Sequence, residues 1–182
     1  NASYYIGAKS IDQGDGYANI LSPSKPKANK FPPGYPLLMS IVMKLSKSFV
    51  AQKIFNSILL LFSCILLYFI VHEISNNKLL ALASSILPSV NYLILHFNAM
   101  MMSETSFIFF STLSFFSLYK LKNTYGFNQI LREPYFYLLV FSSTYAYHIR
   151  TQGIALIAGF VVFFLLKKEW KISLSYLSGF II

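Results

Sequence analysis

The sequence predicts an all-α fold, a polytopic bundle of transmembrane helices, on the strength of its composition and its apolar windows. Apolar residues make up 55% of the 182 residues and aromatic residues 18%, whereas Asp, Glu, Lys and Arg together make up 12%. Soluble domains carry about twice that share of charged residues. Several windows of roughly 20 residues, the length that a helix needs to cross hydrocarbon, contain almost no charge. These observations exclude a soluble domain.

The surplus of basic residues does not indicate nucleic-acid binding. The formal net charge is +9, but the lysines are dispersed between the apolar windows and form no single stripe. Membrane topology explains this distribution, because Lys and Arg beside spans favour the cytoplasmic side. The only cysteine, Cys64, lies inside an apolar run. Neither a disulfide framework nor a thiolate metal site is therefore predicted.

The chain divides into an outer segment, residues 1–48, and a transmembrane bundle, residues 49–182. The outer segment has no clear helical pattern before residues 37–45, which are helically spaced but too short to span and are expected at the interface. Pro88 and Asn91 predict a kink in the second span. Because the chain begins at Asn1 and ends in an apolar stretch, we expect a fragment of a longer protein. The expected spans are 49–73, 79–97, 103–121, 134–149, 153–166 and a truncated sixth from 172.

Basic residues at alternate turns predict the orientation of the bundle. Turns rich in Lys and Arg are expected in the cytoplasm. The opposite turns, 98–104 and 149–153, then lie outside together with residues 1–48, since long translocated segments tolerate charge better than tight turns do. Polar residues therefore gather at the outer face, where we expect the chemistry. The cytoplasmic set is Lys78, Lys120, Lys122, Arg132, Lys167, Lys168 and Lys171.

Glu104 is the first candidate for chemistry, because it is the only acid between Glu73 and Glu133. A carboxylate at the membrane boundary is costly and often functional. The alternative is a residue at a helix start, where Ser103 caps the helix and the carboxylate interacts with the helix dipole.

Arg150 is the second candidate, because the topology gives no reason for a cation at an outer turn. Its fork of donors suits phosphate or carboxylate. The alternative is an arginine that extends its charge to lipid headgroups.

Residues of the outer segment supply further candidates. Lys30 would meet an anionic headgroup or a lipid-linked phosphate, or is simply a solvated loop lysine. Tyr35 suits an interfacial aromatic belt or a sugar ring. Asp12 and Asp15, beside Gly14, fit an ordinary turn.

Four runs of residues resemble one membrane enzyme family. In order, they are Tyr4 to Ala8 with Ile11, Gly14-Asp15-Gly16-Tyr17, Pro32-Pro33-Gly34-Tyr35-Pro36-Leu37-Leu38 and Ser103-Glu104. This order resembles GT-C membrane glycosyltransferases of the protein O-mannosyltransferase and aminoarabinose transferase type, over residues 1–155. The resemblance implies an outer loop of short interfacial helices and transfer of a sugar from a dolichyl- or undecaprenyl-phosphate carrier. A lipid, glycan or protein would accept the sugar on the extracytoplasmic face, and a bacterial inner membrane is the expected location.

The resemblance also assigns roles to individual residues. Glu104 matches the second acidic, catalytic position, which orients the active site. Arg150 matches a basic or polar position near the outer end of a later span, and Lys30 lies one residue from where some members keep a basic residue that meets the carrier phosphate. Lys30, Arg150 and Tyr35 are the expected substrate- and phosphate-binding residues. The catalytic aspartate would lie at or just before Asn1, so we expect the fragment by itself to be inactive. Some relatives use a divalent metal, but the carboxylates are too few to predict a metal site here, and no other cofactor is expected.

Two other functions fit the sequence. A transporter or flippase for a lipid-linked or small anionic solute would use several spans, a proline kink and Arg150, although no internal repeat is found. A membrane scaffold without chemistry would use Glu104 and Arg150 as a structural pair, in which case neutralising both together would be harmless.

Overall fold

The computed structural model describes residues 2–24, 26–28, 31–122 and 126–181. This described part is helical, with loops and one isolated antiparallel bridge between Ala18 and Lys27, which confirms the all-α prediction. A single 3₁₀ turn, Thr151–Gly153, leads into the ninth helix. The α-helices are α1 (Ala2–Asp12), α2 (Gly34–Leu45), α3 (Phe49–Ser75), α4 (Lys78–Val90), α5 (Tyr92–Ala99), α6 (Glu104–Leu121), α7 (Phe127–Ile130), α8 (Pro134–Ile149), α9 (Ile154–Leu166) and α10 (Trp170–Ile181).

The exposed side of helix α3 is largely apolar, and its buried side includes several polar residues. The side chains of Leu61 and Phe62 are 59% and 49% exposed, whereas Gln52, Asn56 and Ser63 are buried. This arrangement suits hydrocarbon, where lipid solvates the apolar face and polar side chains hold neighbouring helices together. Of the helices in the described ranges, only α3 is by itself both long and apolar enough to cross a membrane.

Helices α4 and α5 form a bent pair. Their axes differ by 50°, and together they would make a second span if the pair is one span. Pro88 lies inside α4 and lacks the N–H that a continuous helix requires. Asn91 then adopts an extended conformation, and its side chain accepts a hydrogen bond from the Ile94 N–H. The predicted kink is confirmed.

The other predicted spans also coincide with helices. Their ends lie within two residues of the predicted boundaries, as a comparison of 103–121 with α6, 134–149 with α8 and 153–166 with α9 shows. Helices α8 and α9 have 16 and 13 residues, short of the roughly 20 that one straight crossing needs. The helices are thus confirmed, and six separate crossings stay a prediction.

Small hydroxyl residues hold α6 against α8. The hydroxyl oxygens of Ser114 and Ser142 lie 2.8 Å apart, and both side chains are fully buried. Ser143 continues the row and accepts a 2.7 Å hydrogen bond from the Tyr176 hydroxyl of α10. Small residues at such contacts let helix backbones approach closely where no hydrophobic force draws them together. This packing fixes the start of α6 relative to the end of α8.

Helices α1 and α2 form a cap over the end of the bundle where α6 begins and α8 ends. Tyr4, Gly7 and Ala8 are buried on one face of α1. A side chain at Gly7 would collide with the ring of Tyr17, whose Cε2 would lie 2.5 Å from the added Cβ. The residue pattern predicts no helix at this point, which is wrong for α1, whereas the resemblance implies short helices in the outer segment, as α1 and α2 are. Helix α2 begins three residues before the predicted residue 37.

Gly34 joins this cap to the bundle. A Cβ at this position would lie 2.5 Å from the carbonyl oxygen of His148 and 2.8 Å from the Ile149 nitrogen. The Tyr145 hydroxyl donates a 3.1 Å hydrogen bond to the Gly34 carbonyl oxygen. The two backbones are therefore too close for any residue other than glycine at position 34.

Gly34→Ala should destabilise the protein by about 1–3 kcal/mol, because the added methyl group pushes α2 off the end of α8. The measurement is thermal unfolding of the purified protein in detergent. Gly159→Ala is the matched control, since a Cβ on Gly159 of α9 would meet nothing within 4 Å and alanine favours helix. Equal unfolding midpoints for the two variants would contradict the close contact.

Candidate functional site

The structure brings Glu104 and Arg150 together. Glu104 is the first residue of α6 and Arg150 follows the last residue of α8. Arg150 Nη1 lies 2.6 Å from Glu104 Oε1, and the two side chains are 30% and 20% exposed respectively. Two residues that are 46 positions apart in sequence thus form an ion pair below the cap.

The guanidinium of Arg150 has donors left for a further anion. Its Nε donates a 2.9 Å hydrogen bond to Gln152 Oε1, so that one side of the fork is held by Gln152 and another by Glu104. These two contacts use Nε and Nη1, and the guanidinium has further N–H donors. A phosphate or carboxylate oxygen would be a suitable acceptor there, because such oxygens match the planar fork.

Among the described residues, only one oxygen of the Glu104 carboxylate, Oε1, has a polar partner. Its Oε2 is buried and has no hydrogen-bond partner among the described residues. The predicted helix-start position is confirmed, and the N-terminal end of α6 favours a negative charge there. The predicted cap is wrong, because the Ser103 side chain makes no capping hydrogen bond. The Ser103 hydroxyl lies 3.0 Å from the Tyr4 hydroxyl instead, in a buried contact.

Tyr35, the second residue of α2, belongs to the cap and is fully buried. Its hydroxyl oxygen accepts a 2.9 Å hydrogen bond from Asn56 Nδ2, and the Tyr4 ring meets its ring edge-on at 5.2 Å. Burial raises the pKa of Tyr35, the Asn56 hydrogen bond opposes that rise, and Tyr4 and the negative charge of Glu104 add to it. The hydroxyl is therefore protonated at neutral pH. Its ring offers no exposed surface to a ligand, and its predicted contact with substrate stays a prediction.

Gln52 and Asn56 belong to the site although the sequence analysis did not select them. They lie one turn apart on the buried face of α3, and each donates its amide to α2, Gln52 to the Met39 carbonyl oxygen at 3.0 Å and Asn56 to Tyr35. The oxygens of both amides are buried without a partner among the described residues. The sequence does contain a signal for them, namely two amides four residues apart in an apolar window. Polar side chains within a span usually contact another helix.

Asn98 was expected at the same face and lies there. Its Nδ2 donates a 2.9 Å hydrogen bond to the Ser57 hydroxyl, and its Oδ1 accepts one of 3.4 Å from Thr105. The third turn of α3 and the first turn of α6 are thereby linked through the end of α5.

The predicted basic turns gather at the opposite end of the bundle. Lys120 forms an ion pair with Glu73, whose carbonyl oxygen also accepts a 3.0 Å hydrogen bond from the Tyr119 hydroxyl. Lys167 donates to the carbonyl oxygen of Lys122. The expected separation of basic turns from the Glu104 end is confirmed, while the side of the membrane each end faces stays a prediction.

Three candidates from the outer segment have different outcomes. Lys30 lies outside the described residues. Asp12 ends α1, and the following Gly14 and Gly16 have φ values of 84° and 71°, a left-handed conformation that glycine adopts readily. The turn interpretation of Asp12 and Asp15 is therefore confirmed.

In the described ranges no group of three His, Cys, Asp or Glu residues could hold a metal ion.

Neutralising one partner of the Glu104–Arg150 pair should destabilise the protein more than neutralising both. Glu104→Gln or Arg150→Gln leaves a partly buried charge without its partner, at a cost of about 1–3 kcal/mol, and the double variant should recover part of that loss. Thermal unfolding in detergent measures all three. Lys120→Gln, in the ion pair at the opposite end, is the control and should have a smaller effect. Additive losses in the double variant would contradict the pairing.

A comparison with known families supplies an independent observation. A family profile described as dolichyl-phosphate-mannose-protein mannosyltransferase matches residues 30–182. The matched region contains α2 to α10 and hence Tyr35, Glu104 and Arg150. Neither the curated proteins nor the solved structures gave a significant match. Members of the matched family are integral membrane glycosyltransferases. The chain belongs to the dolichyl-phosphate-mannose-protein mannosyltransferase family.

Proposed function

We propose that the chain is part of a polytopic GT-C glycosyltransferase, which moves a sugar from a polyprenyl-phosphate carrier to an acceptor on the extracytoplasmic face. The observation that carries this proposal is the Glu104–Arg150 ion pair below a two-helix cap. A cation with unused donors and an oriented carboxylate thus lie together at the end of the bundle opposite the basic turns. A lipid, a glycan or a protein is the acceptor class, in keeping with the family.

The reaction needs a positive charge near the leaving phosphate. Negative charge grows on the carrier phosphate as the glycosidic bond breaks, and preorganised donors stabilise such charge most effectively. Arg150 meets this need, because Glu104 and Gln152 hold its guanidinium through Nη1 and Nε, and the planar group has further N–H donors for the phosphate. Lys30 is proposed as a second cation near the same phosphate.

The reaction also needs a carboxylate that takes the acceptor's proton. The resemblance assigns this base to an aspartate at or just before Asn1. Glu104 is then the orienting acid, since it fixes Arg150 and contributes negative charge at the start of α6. The direct contact of Tyr4 of α1 with Ser103 supports a base near Glu104.

The exposed face of α2 supports a position of the cap in the membrane interface. Leu37, Ile41 and Leu45 lie four residues apart along one face of α2 and are 42%, 53% and 87% exposed. An exposed apolar stripe on a short helix is typical of helices that lie in the membrane interface. An α2 that lies there would hold Arg150 at the level of lipid phosphates. The apolar exterior of α3 and the match of the other helices to the predicted spans favour a multispanning arrangement around it.

A scaffold without chemistry is the second candidate, because it too requires the Glu104–Arg150 pair. In that case the pair only ties α6 to α8. The two candidates differ in the effect of the double neutralisation Glu104→Gln with Arg150→Gln, which preserves a scaffold and abolishes an enzyme.

Transfer of radiolabelled sugar from polyprenyl-phosphate carriers to membrane acceptors tests the proposal. Membranes containing the full-length protein should transfer sugar, and Arg150→Gln and Glu104→Gln should each lower the rate by about 100-fold or more, since each removes preorganised electrostatic stabilisation. The double variant should be as inactive as the singles. Lys120→Gln is the control and should keep the normal rate at equal protein level.

Two outcomes would overturn this proposal. Normal function of the double variant would identify the pair as a scaffold contact. Absence of transfer by the intact protein from every carrier tested would favour the transporter instead.

A further inference from the structure

Four exposed lysines lie around the turn that joins α2 to α3. None of them forms an ion pair with a described residue. Acids are scarce in this part of the chain, because Asp12 and Asp15 are the only ones before Glu73. A cluster of one sign without counter-charges attracts anions from its surroundings. The four are Lys9, Lys44, Lys47 and Lys53.

Contacts between α1 and this turn bring the lysines together. Lys9 of α1 and Lys47 of the turn line the same small cavity, of about 60 Å³. The ring of Tyr5, one turn before Lys9, packs on the ring of Phe49 at a centroid distance of 4.8 Å. Asp12 is the only acid among the residues that line this cavity. Positive charge therefore exceeds negative charge where α1 meets the start of α3.

Exposed apolar side chains lie directly beside these lysines. Leu45 follows Lys44 at the end of α2, and Ile54 follows Lys53 in α3. Phe49, between them, is exposed as well. Apolar residues of this kind enter the acyl region of a bilayer, while lysines extend their ammonium groups to the headgroups. The mixture of the two residue types thus fits a phospholipid, which has an anionic head and apolar chains.

The four lysines are separate from the Arg150 site. Gly34, the first residue of α2, contacts the end of α8 beside Arg150. Lys44 comes ten residues after Gly34 in the same helix, which corresponds to about 15 Å along its axis. An anion bound near Lys44 is therefore a different one from the phosphate proposed at Arg150.

We propose that this surface, the basic patch, binds the headgroup phosphate of an anionic phospholipid of the membrane. The lysines supply the positive charge, and the acyl chains cover the apolar side chains, which a free anion would leave exposed. The bound lipid holds α1 and the α2–α3 turn at the membrane interface. The proposal does not rest on the transferase function. The basic patch consists of Lys9, Lys44, Lys47, Lys53, Leu45, Phe49 and Ile54.

Equilibrium binding of labelled phosphatidylglycerol to the full chain, purified in neutral detergent, tests the proposal. The unchanged protein should bind phosphatidylglycerol more tightly than phosphatidylcholine, and added salt should weaken the binding because the lysines are exposed. Each lysine near an anionic lipid contributes about fivefold to affinity. The triple variant Lys9→Gln, Lys44→Gln and Lys47→Gln should therefore bind phosphatidylglycerol at least about tenfold more weakly.

Lys27→Gln is the matched control for Lys47→Gln. Both variants lose one exposed positive charge from the outer segment, but Lys27 lines a different cavity, beside Ser3 and Gly7 of α1. Lys47→Gln should weaken the binding of phosphatidylglycerol several-fold, and Lys27→Gln should leave it unchanged. Equal losses in the two variants would overturn the proposal, because the attraction would then come from net charge and not from the basic patch.

Polyprenyl phosphate distinguishes the basic patch from a carrier site. Arg150→Gln should leave the affinity for phosphatidylglycerol unchanged, and the triple lysine variant should keep most of the affinity for polyprenyl phosphate. A triple variant that loses polyprenyl phosphate and keeps phosphatidylglycerol would overturn the proposal, as would equal affinities of the unchanged protein for phosphatidylglycerol and phosphatidylcholine. A lack of sugar transfer would count against the proposed function alone, since lipid binding is measured without it.

Discussion

The backbone contact between Gly34 and the last turn of α8 is the constraint on which the capped end of the molecule depends. A Cβ at Gly34 would lie within 2.8 Å of three backbone atoms of His148 and Ile149, and the Tyr145 hydroxyl fixes the Gly34 carbonyl. Because α2 begins at this glycine, its position and direction are set by the end of α8. Tyr35 and Arg150, the residues that follow the two contact points, are consequently held in one region.

Polar side chains determine the chemistry of this region. Arg150 and Glu104 are opposite charges in partial burial, where each attracts the other more strongly than at an open surface. The two charges of the pair largely cancel. Glu104 and Gln152 fix the orientation of the guanidinium and hence the direction of its remaining N–H donors. On the other side, α3 presents buried amides to α2, in a helix whose exterior is apolar. A helix of this kind is stable in lipid only when its polar face is covered, and α2 covers it.

Much of this arrangement follows from local sequence, and the rest depends on tertiary contacts. Long apolar windows and the Pro88 and Asn91 pair predict the helices and the bend, because both are properties of one segment. The residue pattern did not predict helix α1, although the resemblance implied short helices in this segment. The buried face of α1 consists largely of small residues, and its stability comes from packing on α2. The hydrogen bonds of Ser103 and Asn56 could not be predicted either, because their partners Tyr4 and Tyr35 are distant in sequence.

The central claim, that Arg150 is a phosphate-binding group held by Glu104, is tested most directly by equilibrium binding of a polyprenyl phosphate without sugar to the purified protein. Arg150→Gln should weaken this binding at least about tenfold, as expected for loss of charge-assisted hydrogen bonds. Lys122→Gln, at the opposite end of the bundle, should bind like the unchanged protein. Equal affinities for the Arg150→Gln variant and the unchanged protein would contradict the claim.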